Sequence, residues 1–288
     1  MKIQLHVARP LKAADQEETQ AQEGIICQEL VGMLRTQLEQ NGEVELTEKH
    51  PDLIHFFGFG DAGTMSLIRR ARNLKIPCVI TPLSMLQPWN TPRLLLTQTH
   101  KAFANPDLFP QSLLVVSSSL IEQEYLQEKY KNIHLELLEN PIVTTSISNE
   151  DYAHGMVEFY ARLIASHDAD IRQQIAKKIE QTGETDEAIC EILRQTEYIA
   201  YQFHRGLIGD EQLARLGTTL TQSNYDESLM GERLSELGRA EFFAQLETIM
   251  QEKALLTEGF MPIPALPNAM FKPGSYTPAS TTEEQPSE

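Results

Sequence analysis

The chain has 288 residues, of which 41% are hydrophobic and 23% charged, and its 24 basic and 41 acidic side chains give a net charge of −17. That length can bury sizeable cores without disulfide or metal staples, and no apolar run reaches the roughly 18 residues of a membrane-spanning helix, which excludes an integral membrane protein. So acidic a surface repels phosphate backbones and anionic lipid heads, so no nucleic-acid partner and no membrane insertion is expected. The segment Met1–Ala8 holds a short apolar strand and no secretory apolar core, and the expected location is cytoplasmic.

In chain order, Ile3 to Ala8 reads as a strand, and Glu17 to Gln40 as a helix with Ile25, Ile26, Leu30, Met33, Leu34 and Leu38 at helical spacing. Val44 to Thr47 is a short strand. Asp52 to Phe59 is a compact apolar run of the kind buried in a parallel sheet. Asp61 is placed to cap a helix whose buried stripe is Ala62, Met65, Ile68 and Ala71. Pro77 to Pro82 reads as a strand, residues 92–104 as a helix, and Ser112 to Ser117 as another buried strand. Ser119-x-x-Glu122 has the spacing of a capping box and opens a helix through Tyr130, after which Ile133 to Leu138 is a further strand. Strands alternating with helices of this length predict βαβ units, an α/β class with a doubly wound parallel, Rossmann-like sheet.

After Asn149 the strand signals stop. Met156, Phe159, Tyr160, Leu163 and Ile164 share one helical face, and Ile171, Ile175 and Ile179 repeat every four residues. Ile189, Leu193, Thr196, Ile199, Ala200 and Phe203 form a longer stripe. Gly206 and Gly209 break the chain before Leu213, Leu216 and Leu220, and a last helix is predicted from Leu229 through Met250. The expected organisation is a Rossmann-like domain over 1–148, an all-α helical domain over 149–258, and a disordered tail over 259–288, rich in Pro, Ser, Thr and Glu.

Cys27, Cys78 and Cys190 are widely separated and odd in number, which fits neither a zinc cluster nor a disulfide framework. The eight histidines form no HExxH pair, so no metal is expected. Ligands of such a sheet lie at the carboxyl ends of its strands. The first of those loops, Arg9 to Asp15, has no glycine and therefore no GxGxxG turn, and the chain has no GxxxxGK[ST]. A dinucleotide-dependent dehydrogenase is therefore not expected, a P-loop NTPase is excluded, and no cofactor is expected. The basic cluster Arg69, Arg70, Arg72 and Lys75 reads as a solvated helix face.

The run Pro51 to Gly58, a helix, and then Ile76-Pro-Cys-Val-Ile-Thr-Pro-Leu-Ser-Met-Leu-Gln-Pro-Trp89 resembles the N-terminal domain of family-4 glycosyltransferases, retaining enzymes of the two-Rossmann GT-B architecture. Val115 to Ser119, a helix, and Lys131 to Pro141 are similar to the family's next strand–helix–strand, so the resemblance covers residues 1–145. It departs from the family at several places. The resemblance implies a His-Gly pair at the sugar-transfer site where this chain has Leu83 and Ser84, and a leucine neither donates a hydrogen bond nor stabilises developing charge. The glycines of the first loop are missing, and the family's Asn-Gly turn is Asn140-Pro141. The family's nucleotide-sugar domain should follow, with a glutamate pair spaced E-x7-E. Glu150 and Glu158 have that spacing, but the region around them shows no βαβ pattern.

Cleft candidates for ligand binding are Arg9, His55, Thr81, Ser84, Trp89, Ser117 and Ser118, with Gln87 on the same loop as Trp89. His55 also fits a satisfied core histidine, and Ser117 to Ser119 also fit helix capping. Trp89 suits stacking on a sugar or closing a domain junction. The aromatic cluster Tyr198, Tyr201, Phe203 and His204 suits a core or an interface. No catalytic residue is assigned. Two readings stand. One is a degenerate glycosyltransferase-like protein that binds a partner or a glycan, with the helical half as a partner or homo-oligomer surface. The other is an active, nucleotide-sugar-dependent transferase whose donor site comes from a partner chain or from the helical half.

Overall fold

A computed structural model describes residues 1–8, 17–58, 61–83, 112–130, 133–142, 144–253, 255–256 and 262–267. The predicted helix over 92–104 and the tail from residue 268 lie outside these residues. The chain divides into two compact units, Met1–His167 and Asp168–Glu288.

The first unit is built on six parallel strands: β1 (Lys2–Val7), β2 (Glu45–Leu46), β3 (Leu53–Phe57), β4 (Cys78–Thr81), β5 (Leu113–Ser117) and β6 (His134–Leu137), in the order β2-β1-β3-β4-β5-β6. The register runs Ile3 to Leu53, Ile54 to Cys78, Cys78 to Leu113 and Leu114 to His134. Strands β3 and β4 are buried along their whole length because helices cover both faces. Helix α1 (Glu17–Asn41) and the start of α4 (Asn149–Glu180) share one face, where Leu30, Leu34, Leu38, Tyr152, Met156 and Tyr160 pack on Ile3, Phe57 and Val79. Helices α2 (Ala62–Asn73) and α3 (Leu120–Lys129) cover the other, with Ile68, Ala71 and Leu126 against Ile54, Phe56, Ile80 and Val115. This is a doubly wound, Rossmann-like sheet followed by a helical region. Its chain order reverses between β1 and β3, which makes the carboxyl ends of those two strands the switch point.

Asp61 caps α2, accepting hydrogen bonds from the Gly63 and Thr64 amides at 2.8 and 3.1 Å. The buried stripe of α2 is Thr64, Ile68 and Ala71, with Met65 partly covered. Ala62 was expected on that stripe but is exposed, because it sits in the turn just after the cap, off the face that Thr64, Ile68 and Ala71 share. Ser119 caps α3 through the Glu122 amide at 3.2 Å.

The second unit is helical through its described residues. It contains the rest of α4, then α5 (Glu187–Arg205), α6 (Asp210–Gln222), α7 (Glu227–Glu236) and α8 (Ala240–Glu252). Its core joins Ile189, Leu193, Ile199, Leu213, Leu216, Leu220, Met230, Leu234, Phe243 and Leu246. Asp186 caps α5, and Gly206 ends it in the left-handed conformation at φ +70°. The single last helix expected over 229–250 is two helices instead. Gly238 adopts φ +66° between them, and its amide closes on Ser235 O, so the α7 stripe stops one turn short of Phe243.

The first compact unit extends past the boundary expected at residue 148. The opening turns of α4 are apolar on the sheet side, and Tyr152, Met156 and Tyr160 are fully buried there. Among the described residues no helix is long and apolar enough to cross a membrane, and no group of three or more His, Cys, Asp or Glu gathers to hold a metal ion.

Candidate functional site

Two polar clusters reach the carboxyl side of the sheet, on opposite faces. His55 points from β3 toward α4 and has no solvent exposure. Its Nδ1 is 2.6 Å from the Tyr160 hydroxyl, its Nε2 is 2.8 Å from Thr81 Oγ1, and its ring stacks on Phe57 at 3.9 Å. Burial lowers its pKa to about 3, so the imidazole is neutral, and burial also pushes the Tyr160 phenol up. A neutral imidazole offers one donor and one acceptor, and the two hydroxyls supply the complement. The cluster is complete without a ligand.

His6, from β1, faces the other helix layer. Its Nε2 is 3.0 Å from Thr64 Oγ1, and the Thr64 hydroxyl donates to Asp61 Oδ2. With that hydroxyl proton directed at Asp61, the His6 Nε2–H is the donor to Thr64. Burial lowers the pKa of His6, and the neighbouring Asp61 carboxylate acts against that shift. Period-two alternation in β1 and the Asp61-x-x-Thr64 spacing carry the signal for this cluster, which the sequence reading passed over.

The remaining cleft candidates separate. Ser117 Oγ donates to Glu136 O at 3.0 Å, tying β5 to β6. The Ser118 amide donates to Glu122 Oε2 at 2.7 Å, and Glu122 is fully buried. An internal carboxylate therefore sits at the N-terminus of α3, where a bound anion would be held. Asn140 turns the chain after β6 by accepting the Ile142 amide at 2.9 Å. Leu83 takes a left-handed φ of +52° and packs against the core under α1 and α4. Arg9, Ser84, Gln87 and Trp89 lie outside the described residues. Arg69, Arg70, Arg72 and Lys75 are all exposed. Glu150 and Glu158 are exposed on α4, with Glu158 3.4 Å from His154.

A separate cavity of about 470 Å³ opens within the second unit, between α4, α5 and α6. Arg172, Arg194 and Arg215 line it, with Glu191, Gln195 and Tyr198. Tyr198, expected in a core or an interface, carries the Arg172 guanidinium over its ring at 4.0 Å. The three arginines lie 22 and 21 residues apart on three helices, a spacing that no local motif reveals.

Comparison of the chain with known protein families, with curated proteins and with solved structures finds no match.

Proposed function

We propose that the chain is a degenerate glycosyltransferase-like protein that binds a protein partner or a glycan and does not transfer sugar. The observation that carries this reading is Leu83. It stands where the resemblance implies a catalytic histidine, and its partly buried side chain packs against the core. A hydrocarbon packed in that way gives a developing charge no hydrogen bond. Two further features support the reading. Glu122 occupies the anion position of α3, and the region after the sheet is helical where a GT-B enzyme carries its nucleotide-sugar domain. The acidic helical half is the surface proposed for a protein partner or a second copy.

The test is nucleotide release from UDP-glucose and GDP-mannose, alongside calorimetric titration of the same compounds. No turnover is expected from the native chain or from Leu83→His. Turnover by the native chain, or a large gain in the variant, overturns the reading in favour of an active transferase.

A further inference from the structure

We propose that the cavity between α4, α5 and α6 is a binding site for a small organic anion, a carboxylate or phosphate monoester carrying a compact apolar body. The proposal is independent of the reading of the sheet. Residues 151–288 hold 11 basic and 23 acidic side chains, yet three guanidinium groups line this one cavity, against two carboxylates, Glu191 and Glu211.

Two of the three guanidinium groups, Arg172 and Arg194, are braced by carboxylates that are not among the residues lining the cavity. Arg172 Nε donates to Asp168 Oδ2 at 2.7 Å, and Tyr198 Oη holds the other Asp168 oxygen at 2.5 Å. Arg194 Nη1 donates to Glu187 Oε1 at 2.8 Å. Toward the cavity the pairing is looser. Glu191 lies 3.6 Å from Arg194 and 3.7 Å from Arg215, although Gln195 Nε2 donates to it at 2.8 Å. Close charge-assisted pairs sit at about 2.7–2.9 Å. Glu191 thus marks where an acidic group is welcome, and its long distances leave Arg194 and Arg215 able to take a shorter, bidentate partner. Ile175, Ala176 and Ile199 add an apolar wall. That wall favours an anion with a hydrophobic body over a bare inorganic ion.

The experiment is calorimetric titration of the full chain with phenyl phosphate, benzoate and inorganic phosphate. Saturable binding of phenyl phosphate or benzoate with Kd below about 1 mM is expected, and the tighter of the two separates phosphoryl from carboxylate recognition. Arg194→Gln/Arg215→Gln should weaken that binding at least tenfold, by about the worth of one charge-assisted hydrogen bond or more. Glu191→Gln, which removes the competing internal carboxylate, should tighten it several-fold. Circular dichroism checks the fold of each variant, and the gain in Glu191→Gln decides the matter if the double variant does not fold. Absence of saturable binding by both organic anions, inorganic phosphate binding as tightly as phenyl phosphate, or affinity unchanged in both variants overturns the proposal.

Discussion

The two units handle buried polarity differently. In the sheet unit His55, Tyr160 and Thr81 close a neutral hydrogen-bonded set inside the core, and the buried carboxylate of Glu122 is met by a backbone amide, that of Ser118, at a helix N-terminus. The helical unit buries charge. Glu197, 7% exposed, is held by Lys178 at 2.6 Å and Arg239 at 2.9 Å, and Glu184, 4% exposed, is held by Arg233 at 2.9 Å. Glu247 is fully buried on α8, and among the described residues neither of its oxygens meets a donor in hydrogen-bonding geometry. Burial raises its pKa to about 8; the nearby Ile263 amide tempers that rise, and the Glu227 carboxylate adds to it. A neutral network tolerates a wide range of pH, whereas a buried acid ties stability to protonation.

The strongest way to break this contrast is Glu247→Gln. An acid that holds its proton more tightly in the fold than in the unfolded chain favours folding below the ordinary carboxylate range. That contribution is lost as pH rises through about 8. At pH 9 the amide should be more stable than the native chain by on the order of 3 kcal/mol, with little difference at pH 4. Urea denaturation at the two pH values measures it, and equal effects at both would remove the charged-core half of the comparison.

Tyr160→Phe probes the neutral half. Losing the hydroxyl deprives His55 Nδ1 of its partner and should cost about 1–3 kcal/mol, the same at pH 6 and pH 9 because His55 titrates only near pH 3. A pH-dependent loss in denaturant melts would show that His55 charges in the native state. The smallest effects come from the helix caps. Asp186→Ala removes a carboxylate bound to the Ala188 and Ile189 amides and should cost about 1 kcal/mol. Asp61→Ala should cost more, up to about 2 kcal/mol, because Asp61 also accepts from Thr64 Oγ1. Equal losses in thermal melts would mean that the His6–Thr64–Asp61 cluster adds nothing beyond the cap.

Much of the architecture was legible along the sequence because its signals are local. The apolar runs of β3, β4 and β5 and the caps Asp61 and Ser119 each lie within a few residues of what they determine. What escaped depends on distance or on one backbone angle. His55 and Tyr160 are 105 positions apart, so the choice between a cleft histidine and a core histidine rested on a partner from another element. The break at Gly238 falls inside an otherwise continuous apolar pattern, Leu234, Leu237 and Phe243, and a left-handed glycine leaves that periodicity untouched. Ser117 to Ser119 invited two readings until Glu122 was placed at the Ser118 amide.

All three cysteines are buried, and burial raises the pKa of each, that of Cys27 to about 11. Thiolate is the species that thiol reagents attack, and the folded chain presents almost none of it near neutral pH. The native molecule is therefore a dark background for maleimide chemistry. A single cysteine substituted at exposed Thr218, on the α6 helix that lines the arginine cavity, can carry a fluorophore that reports on that helix alone.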